Sequence, residues 1–259
     1  MISQAARKAF AIPAYVKFLA TVDDAGAPNV AAILSAKMVD DSTIAFVRFM
    51  AWKTAHNLEA NGRASFGCIG PMGRAFAAFG QFAGWETSGP LMERFSAEPM
   101  YRYNAYMGAT HIGVVKVTEV RDLPGRLLGP AWRARRRSVK PAGAGPMAGP
   151  VMEKWRRLLA AKCLGFVDDA GRPVAAALSS VAPAAADRLT FELPGAGHPL
   201  MGLLPGAHLA AAVFTTDPSA FQVKGSFEGV NGEGIGTMKV TEVFAASPPI
   251  PGKRVFPPE

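Results

Sequence analysis

Short apolar runs, set off by Gly, Pro, Asp and Asn, dominate the first half of the chain. Residues 18–22 read as a strand and D-D-A-G-A-P as a turn, in which Gly26 supplies positive φ and Asp side chains bond back to the backbone. Residues 30–39 predict a second strand, Asp40-Asp41-Ser42 a turn, and residues 43–49 a third strand. A helix then opens around Lys53, Thr54 and Asn57 and stops near Asn61-Gly62, a left-handed stop signal. Residues 63–69 and 74–84 predict two more strands, the latter alternating Phe76, Ala78 and Phe82 with glycines that permit close backbone approach. Residues 88–95 predict a helix, 100–106 are rich in aromatic side chains, and 111–120 predict a sixth strand. Residues 5–17 read as a short helix broken near Pro13. Six short antiparallel strands and one well-marked helix predict a mainly β fold, a small barrel that hides its edges by closing.

The pattern then recurs. Val22-Asp-Asp-Ala-Gly-Ala-Pro28 returns as Val167-Asp-Asp-Ala-Gly-Arg-Pro173, 145 residues on, and the same offset pairs Ser35 with Ser180, Phe46 with Phe191 and Gly80 with Gly225. Ile112-Gly-Val-Val-Lys-Val-Thr-Glu-Val120 returns from Ile235, 123 residues on, so the first copy carries 22 extra residues between Gly84 and Ile112. Two copies make a duplicated domain, not a solenoid. The expected division is 1–122 for copy one, 123–152 for a Gly/Pro/Arg-rich linker, and 153–259 for copy two with a Pro-rich tail. Trp155-Arg-Arg-Leu-Leu-Ala-Ala-Lys162 is expected to take the place of the first short helix.

Apolar residues make up 49% and charged residues 19% of the 259, enough for real cores and too apolar for disorder. The formal charge of +8 suits an anionic ligand or partner but does not separate a small phosphate from nucleic acid or a membrane surface. Trp132-Arg-Ala-Arg-Arg-Arg137 with Lys140 is a single basic cluster in the linker, read as solvated or capping a partner, so no nucleic-acid partner is expected. Cys68 and Cys163 stand far apart, and the four histidines show no metal-ligand spacing, so no metal is expected. The first residues hold no apolar run of signal or membrane-span length; a cytoplasmic protein with no membrane partner is the default expectation. The glycine-dense stretch 229–236 lies between two strands and reads as a hairpin, not a dinucleotide fingerprint.

Lys53 and Thr54 change the picture, because the start of a helix offers unpaired N–H groups and a positive dipole end to an anion. Strand, turn and strand, then a strand feeding K-T-A-H-N-L-E-A-N-G-R, then R-A-S-F, resembles the pyridoxamine 5′-phosphate oxidase-like family of FMN-binding split barrels. The resemblance covers nearly all of residues 15–122, with 153–245 a weaker relative. It implies two split barrels paired as a pseudo-dimer within one chain, FMN in the groove between them, and oxidoreductase chemistry on an unidentified small molecule. The pairing leaves room for a further homo-oligomer without requiring one.

By position, the resemblance places Lys53 and Thr54 at the phosphate, Ser35 and Lys37 on the strand edge beside the flavin ring, and Val47 and Arg48 at the end of the next strand. The family's phosphate-gripping arginine aligns with Ala32, so one cation is missing unless Arg48 or Arg74 substitutes, and no catalytic residue can be carried over. In copy two the 145-residue offset turns Lys37 into Ala182, Lys53 into His198, Thr54 into Pro199 and Asn57 into Gly202. One loaded groove out of two is the expectation; a non-catalytic carrier of flavin, haem or a deazaflavin, and a cofactor-free scaffold, are the alternatives.

Overall fold

The computed structural model of the chain describes residues 3–12, 15–70, 73–98, 109–123, 128–140, 145–217 and 219–258. The first half holds β1 (Lys17–Val22), β2 (Pro28–Ala32), β3 (Lys37–Met38), β4 (Thr43–Val47), β5 (Arg63–Ile69), β6 (Ala75–Glu86) and β7 (Ile112–Leu123). They form one antiparallel sheet in the order β2-β1-β5-β6-β7-β4-β3. The second half holds β8 (Ala161–Val167), β9 (Pro173–Ala177), β10 (Ala182–Ala185), β11 (Arg188–Glu192), β12 (His208–Phe214), β13 (Ala220–Val230) and β14 (Ile235–Ala245), with β15 (Arg254–Phe256) beside β14. Its order, β10-β11-β14-β13-β12-β8-β9, is the first sheet's order read from the other end. Both sheets curl, and the chain is a split barrel built twice.

The helices are α1 (Gln4–Ala11), α2 (Trp52–Asn61), α3 (Pro90–Ser96), α4 (Leu128–Arg137) and α5 (Gly149–Arg156). Gly62, at φ 70°, stops α2 where the Asn-Gly signal places the stop. α1 and α5 stand 145 residues apart, so the copy-two helix starts inside the stretch expected as linker. Pro150 in its first turn sets that start, and only Trp155 and Arg156 of the expected 155–162 stretch are helical. No helix among the described residues is long and apolar enough to cross a membrane. The aromatic stretch 100–106 lies outside the described residues.

Among the described residues each copy has seven strands on its sheet path, not six, because residues 30–39 do not run straight. β2 ends at Ala32, the chain turns, and β3 starts at Lys37, which lets the two ends of the curled sheet share one connection. Ser35 holds that seam: its hydroxyl accepts the Val47 N–H at 3.0 Å. Ser180 accepts the Glu192 N–H at 3.1 Å in the corresponding place. Gly80 and Gly225 sit at bulges of β6 and β13, where a Cβ would collide with the backbone carbonyl of Lys116 or Lys239.

Between the copies small residues let the two sheets approach. Phe18, Ala20, Val30, Cys163, Ala175, Ala210 and Ala212 form a shared buried cluster, and a Cβ at Gly67 would strike the Ala175 carbonyl. Ser65 Oγ accepts the Ala175 N–H at 3.2 Å across the same seam. Burial of alanine-sized groups contributes little per residue, but close backbone approach restores dispersion contacts along the whole line.

Lys17 and Lys162, equivalent by the 145 offset, are both buried, and each donates to a backbone carbonyl (Ile12 at 2.5 Å, Val181 at 2.7 Å). Burial pushes Lys17 down to about 8 and Lys162 down to about 7 from the ordinary 10.5. Across that window the unfolded chain binds more protons than the folded one, so stability rises with pH, by at most about 1.4 kcal/mol per pH unit for each group. Denaturant midpoints measured from pH 7 to 9.5 should climb, and Lys17→Met with Lys162→Met should flatten the climb; a wild-type midpoint that falls over this range refutes the assignment.

Candidate functional site

A groove of about 400 Å³ opens between the copies, within the usual size of small-molecule sites. Copy one lines it with the β2 edge and its turn, Asn29 to Ser35, and with Val47 and Phe49 to Thr54. Copy two adds Phe214, Gln222, Lys224, Phe244 and the turn after β14, from Ala245 to Pro248 with Pro251 and Gly252. Most of these side chains are apolar, and the polar ones gather at the α2 end. Met50, at φ 42°, takes a positive φ that non-glycine residues seldom adopt, at the turn that aims α2 at the groove.

The start of α2 is chemically exposed. Ala51, its N-cap, has no side-chain acceptor for the first N–H groups. Thr54 is buried on that turn and accepts from Asn29 Nδ2 at 3.1 Å. Asn29 in turn accepts from Gln222 Nε2 at 3.1 Å, and the same amide donates to the Val30 carbonyl at 2.5 Å. A chain of hydrogen bonds thus runs from copy two to the hydroxyl on α2. Asn57 ties the helix to β1 by donating to Thr21 at 2.9 Å.

Lys53 lines the groove and pairs with Asp23 at 3.2 Å. Burial works to raise the Asp23 carboxyl, but the Ala27 N–H, Lys53 and Lys224 outweigh it and hold it below the usual range. Lys224 comes from β13, and burial, then the neighbouring Lys53 ammonium, push it down to about 8 against the pull of Asp23 and Glu242. Sequence reasoning missed Lys224. Its signal was present: with the 145 offset, Gln222 and Lys224 replace Ala77 and Phe79 on the corresponding strand.

Of the residues expected at the site, Ser35, Val47, Lys53 and Thr54 line the groove, and Lys37 and Arg48 do not. Lys37 reaches the other way, pairing with Glu98 and lying 4.1 Å from the Phe95 ring centroid. The β2–β3 turn that splits the expected long strand sends it there. β4 ends at Val47, and the Phe49 N–H turns back onto the Val47 carbonyl at 3.1 Å, so Arg48 sits at the centre of a tight turn. It lies 5.4 Å from the Trp52 ring and 5.3 Å from the Trp85 ring, beside His111 Nδ1 at 3.4 Å. Arg74 pairs with Asp122. Neither arginine is among the described residues lining the groove, whereas Ala32 is.

The pseudo-symmetric groove differs. It has a volume of about 610 Å³ and is lined by Ala177 to Ser180, Glu192 and Pro194, with Gly129, Pro130 and Arg133 of α4 forming another wall. Arg133 grips Glu192 through two bonds of 2.9 and 2.6 Å, and Arg137 adds a third at 2.7 Å. Glu192 stands where copy one has Val47. Burial would raise its carboxyl, but the two arginines hold it low. His198, in the place of Lys53, is buried and accepts the Leu200 N–H through Nδ1 at 3.2 Å. The turn that replaces α2 therefore caps itself, and burial drives His198 down to about 4, so it stays neutral at pH 7.

No family model matches this chain, and neither does any curated protein. Solved structures do. HupZ of Group A Streptococcus is 22% identical over 49% of this chain and 97% of its own, with a TM-score of 0.40. An F420 reductase is 19% identical over 47% of this chain and 98% of its own (TM-score 0.37). An FMN-binding protein from Syntrophomonas wolfei is 21% identical over 41% and 75% (TM-score 0.35).

Asn29 joins both copies to Thr54. Asn29→Ala removes a buried group with two partners, and unfolding in urea should show a loss of about 1–3 kcal/mol, the cost of leaving such partners unsatisfied. An unchanged midpoint would remove the network from the account of the groove.

Proposed function

We propose that the chain binds one FMN in the groove between its copies and works as an oxidoreductase on a small molecule yet to be identified. The observation that carries this reading is the asymmetry of the two grooves. One is lined by Lys53 and Thr54 at the start of an uncapped ten-residue helix. The other, of about 610 Å³, is lined by Glu192 in the grip of α4 arginines, and the self-capped turn that replaces α2 is not among its described lining residues. The sequence resemblance points to the same groove.

The residues fit the group. Lys53, Thr54 and the first N–H groups of α2 would take the phosphate, since charge-assisted donors suit an anion of about −2 charge. Val47, Phe49 and the Ile33–Ser35 turn would flank the ring, with Phe214, Phe244 and the turn after β14 closing the far wall and excluding water. FMN, when bound, supplies the electron or hydride transfer. Among the described groove-lining residues the ionisable groups are Lys53 and Lys224, both at the proposed phosphate end. No protein acid or base is assigned at the ring.

The same scarcity favours one alternative, a flavin carrier without turnover. Reduction of bound flavin by NADH or NADPH, followed by reoxidation with an added acceptor, marks the enzyme; failure of both nucleotides favours the carrier. For binding itself, the purified protein should show a flavin absorbance spectrum and release a ligand of FMN's mass on denaturation. Lys53→Ala should weaken FMN binding by about 1.5–3 kcal/mol, the worth of a hydrogen bond to a charged group. Colourless protein that takes up no added FMN overturns the reading.

A further inference from the structure

We propose that Lys224 of copy two is the second phosphate-binding cation of the first groove, so that a phosphomonoester is gripped from both halves of the chain. This rests on the flavin reading above and assigns a residue to the same site.

Three observations converge. Lys53 and Lys224 are the cations among the described residues lining the groove, and they reach it from opposite sides of the interface, one on α2 and one on β13. They stand close enough for Lys53 to depress Lys224, with Asp23 as their common neighbour. Lys53 is exposed and Lys224 half-buried; the Asp23 carboxylate offsets part of their repulsion, and a phosphate between them would offset more. The second observation is Ala32, which lines the groove where the resemblance calls for an arginine; among the described residues no arginine lines the groove to replace it.

The third is the counterpart position. A lysine serving the other groove in the same way would stand at residue 79, where the chain has Phe79, buried beneath the Arg121 and Arg172 guanidinium groups at 5.1 and 5.0 Å. Only one of the two symmetry-related exchanges is therefore made. Copy two, which has lost its own anion site, donates across the interface instead of receiving.

The test compares FMN with riboflavin, which has the same ring and no phosphate. Apo protein is titrated with each and flavin fluorescence quenching is followed. Lys224→Gln should raise the FMN Kd roughly 10- to 100-fold, the range for losing a hydrogen bond to a charged group, and leave riboflavin nearly unchanged. Lys224→Arg should keep most of the FMN affinity. Lys224→Met replaces the glutamine variant if melting curves show that variant misfolded. An FMN Kd that does not move, or an equal loss for both flavins, overturns the proposal while leaving the flavin reading intact. A wild-type chain that binds neither flavin overturns both.

Discussion

The close approach of two curled sheets is the constraint on which the rest of the structure depends. Gly67 beneath the Ala175 carbonyl, with Ala20, Ala210 and Ala212 in the shared cluster, sets how near β5 comes to β9 and β12 to β2. That spacing fixes where the β2 edge of copy one faces β13 and the turn after β14 of copy two. The groove is the volume left over where the sheets diverge. Its polar end is then organised by one buried line of hydrogen bonds, from Gln222 through Asn29 to Thr54, which works only at this separation.

From this common frame the copies depart through their connections. After β14 the chain turns back along its own sheet and becomes a wall of the first groove. After β7 it forms α4, which lines the second groove and pairs Arg133 and Arg137 with Glu192. The basic cluster thus finds part of its partner inside the chain, with Arg133 and Arg137 neutralising a carboxylate at the place of Val47. One duplicated scaffold yields two unlike grooves, one lined by the uncapped start of α2 and a second, of about 610 Å³, lined in part by α4.

Much of the fold was legible because local chemistry and tertiary context agree. The repeated D-D-A-G turns, the Asn61-Gly62 stop and the alternating β6 segment each report a backbone conformation directly. The break at residues 33–36 was not legible, since an apolar run reads alike whether it stays straight or turns at a serine latch. The same turn sent Lys37 away from the site. Arg48 falls just past the end of β4, in a tight turn that carries it toward Trp85 and His111. Lys224 lies outside the motif positions of copy two, which hold Ala182, His198 and Pro199, so the motif does not reveal it. The polar pair on an otherwise apolar strand carried the signal.

The pairing of barrels by covalent linkage has a consequence for how the groove responds to dilution. A groove shared by separate subunits vanishes when the protein falls below the dissociation constant of the dimer. Here the partner wall belongs to the same chain, so the two halves meet at an effective concentration set by the chain and not by the protein concentration. Groove formation becomes a first-order event, independent of how scarce the protein is. Any ligand that spans both walls also adds its binding free energy to the union of the halves, in proportion to the logarithm of its concentration over its Kd.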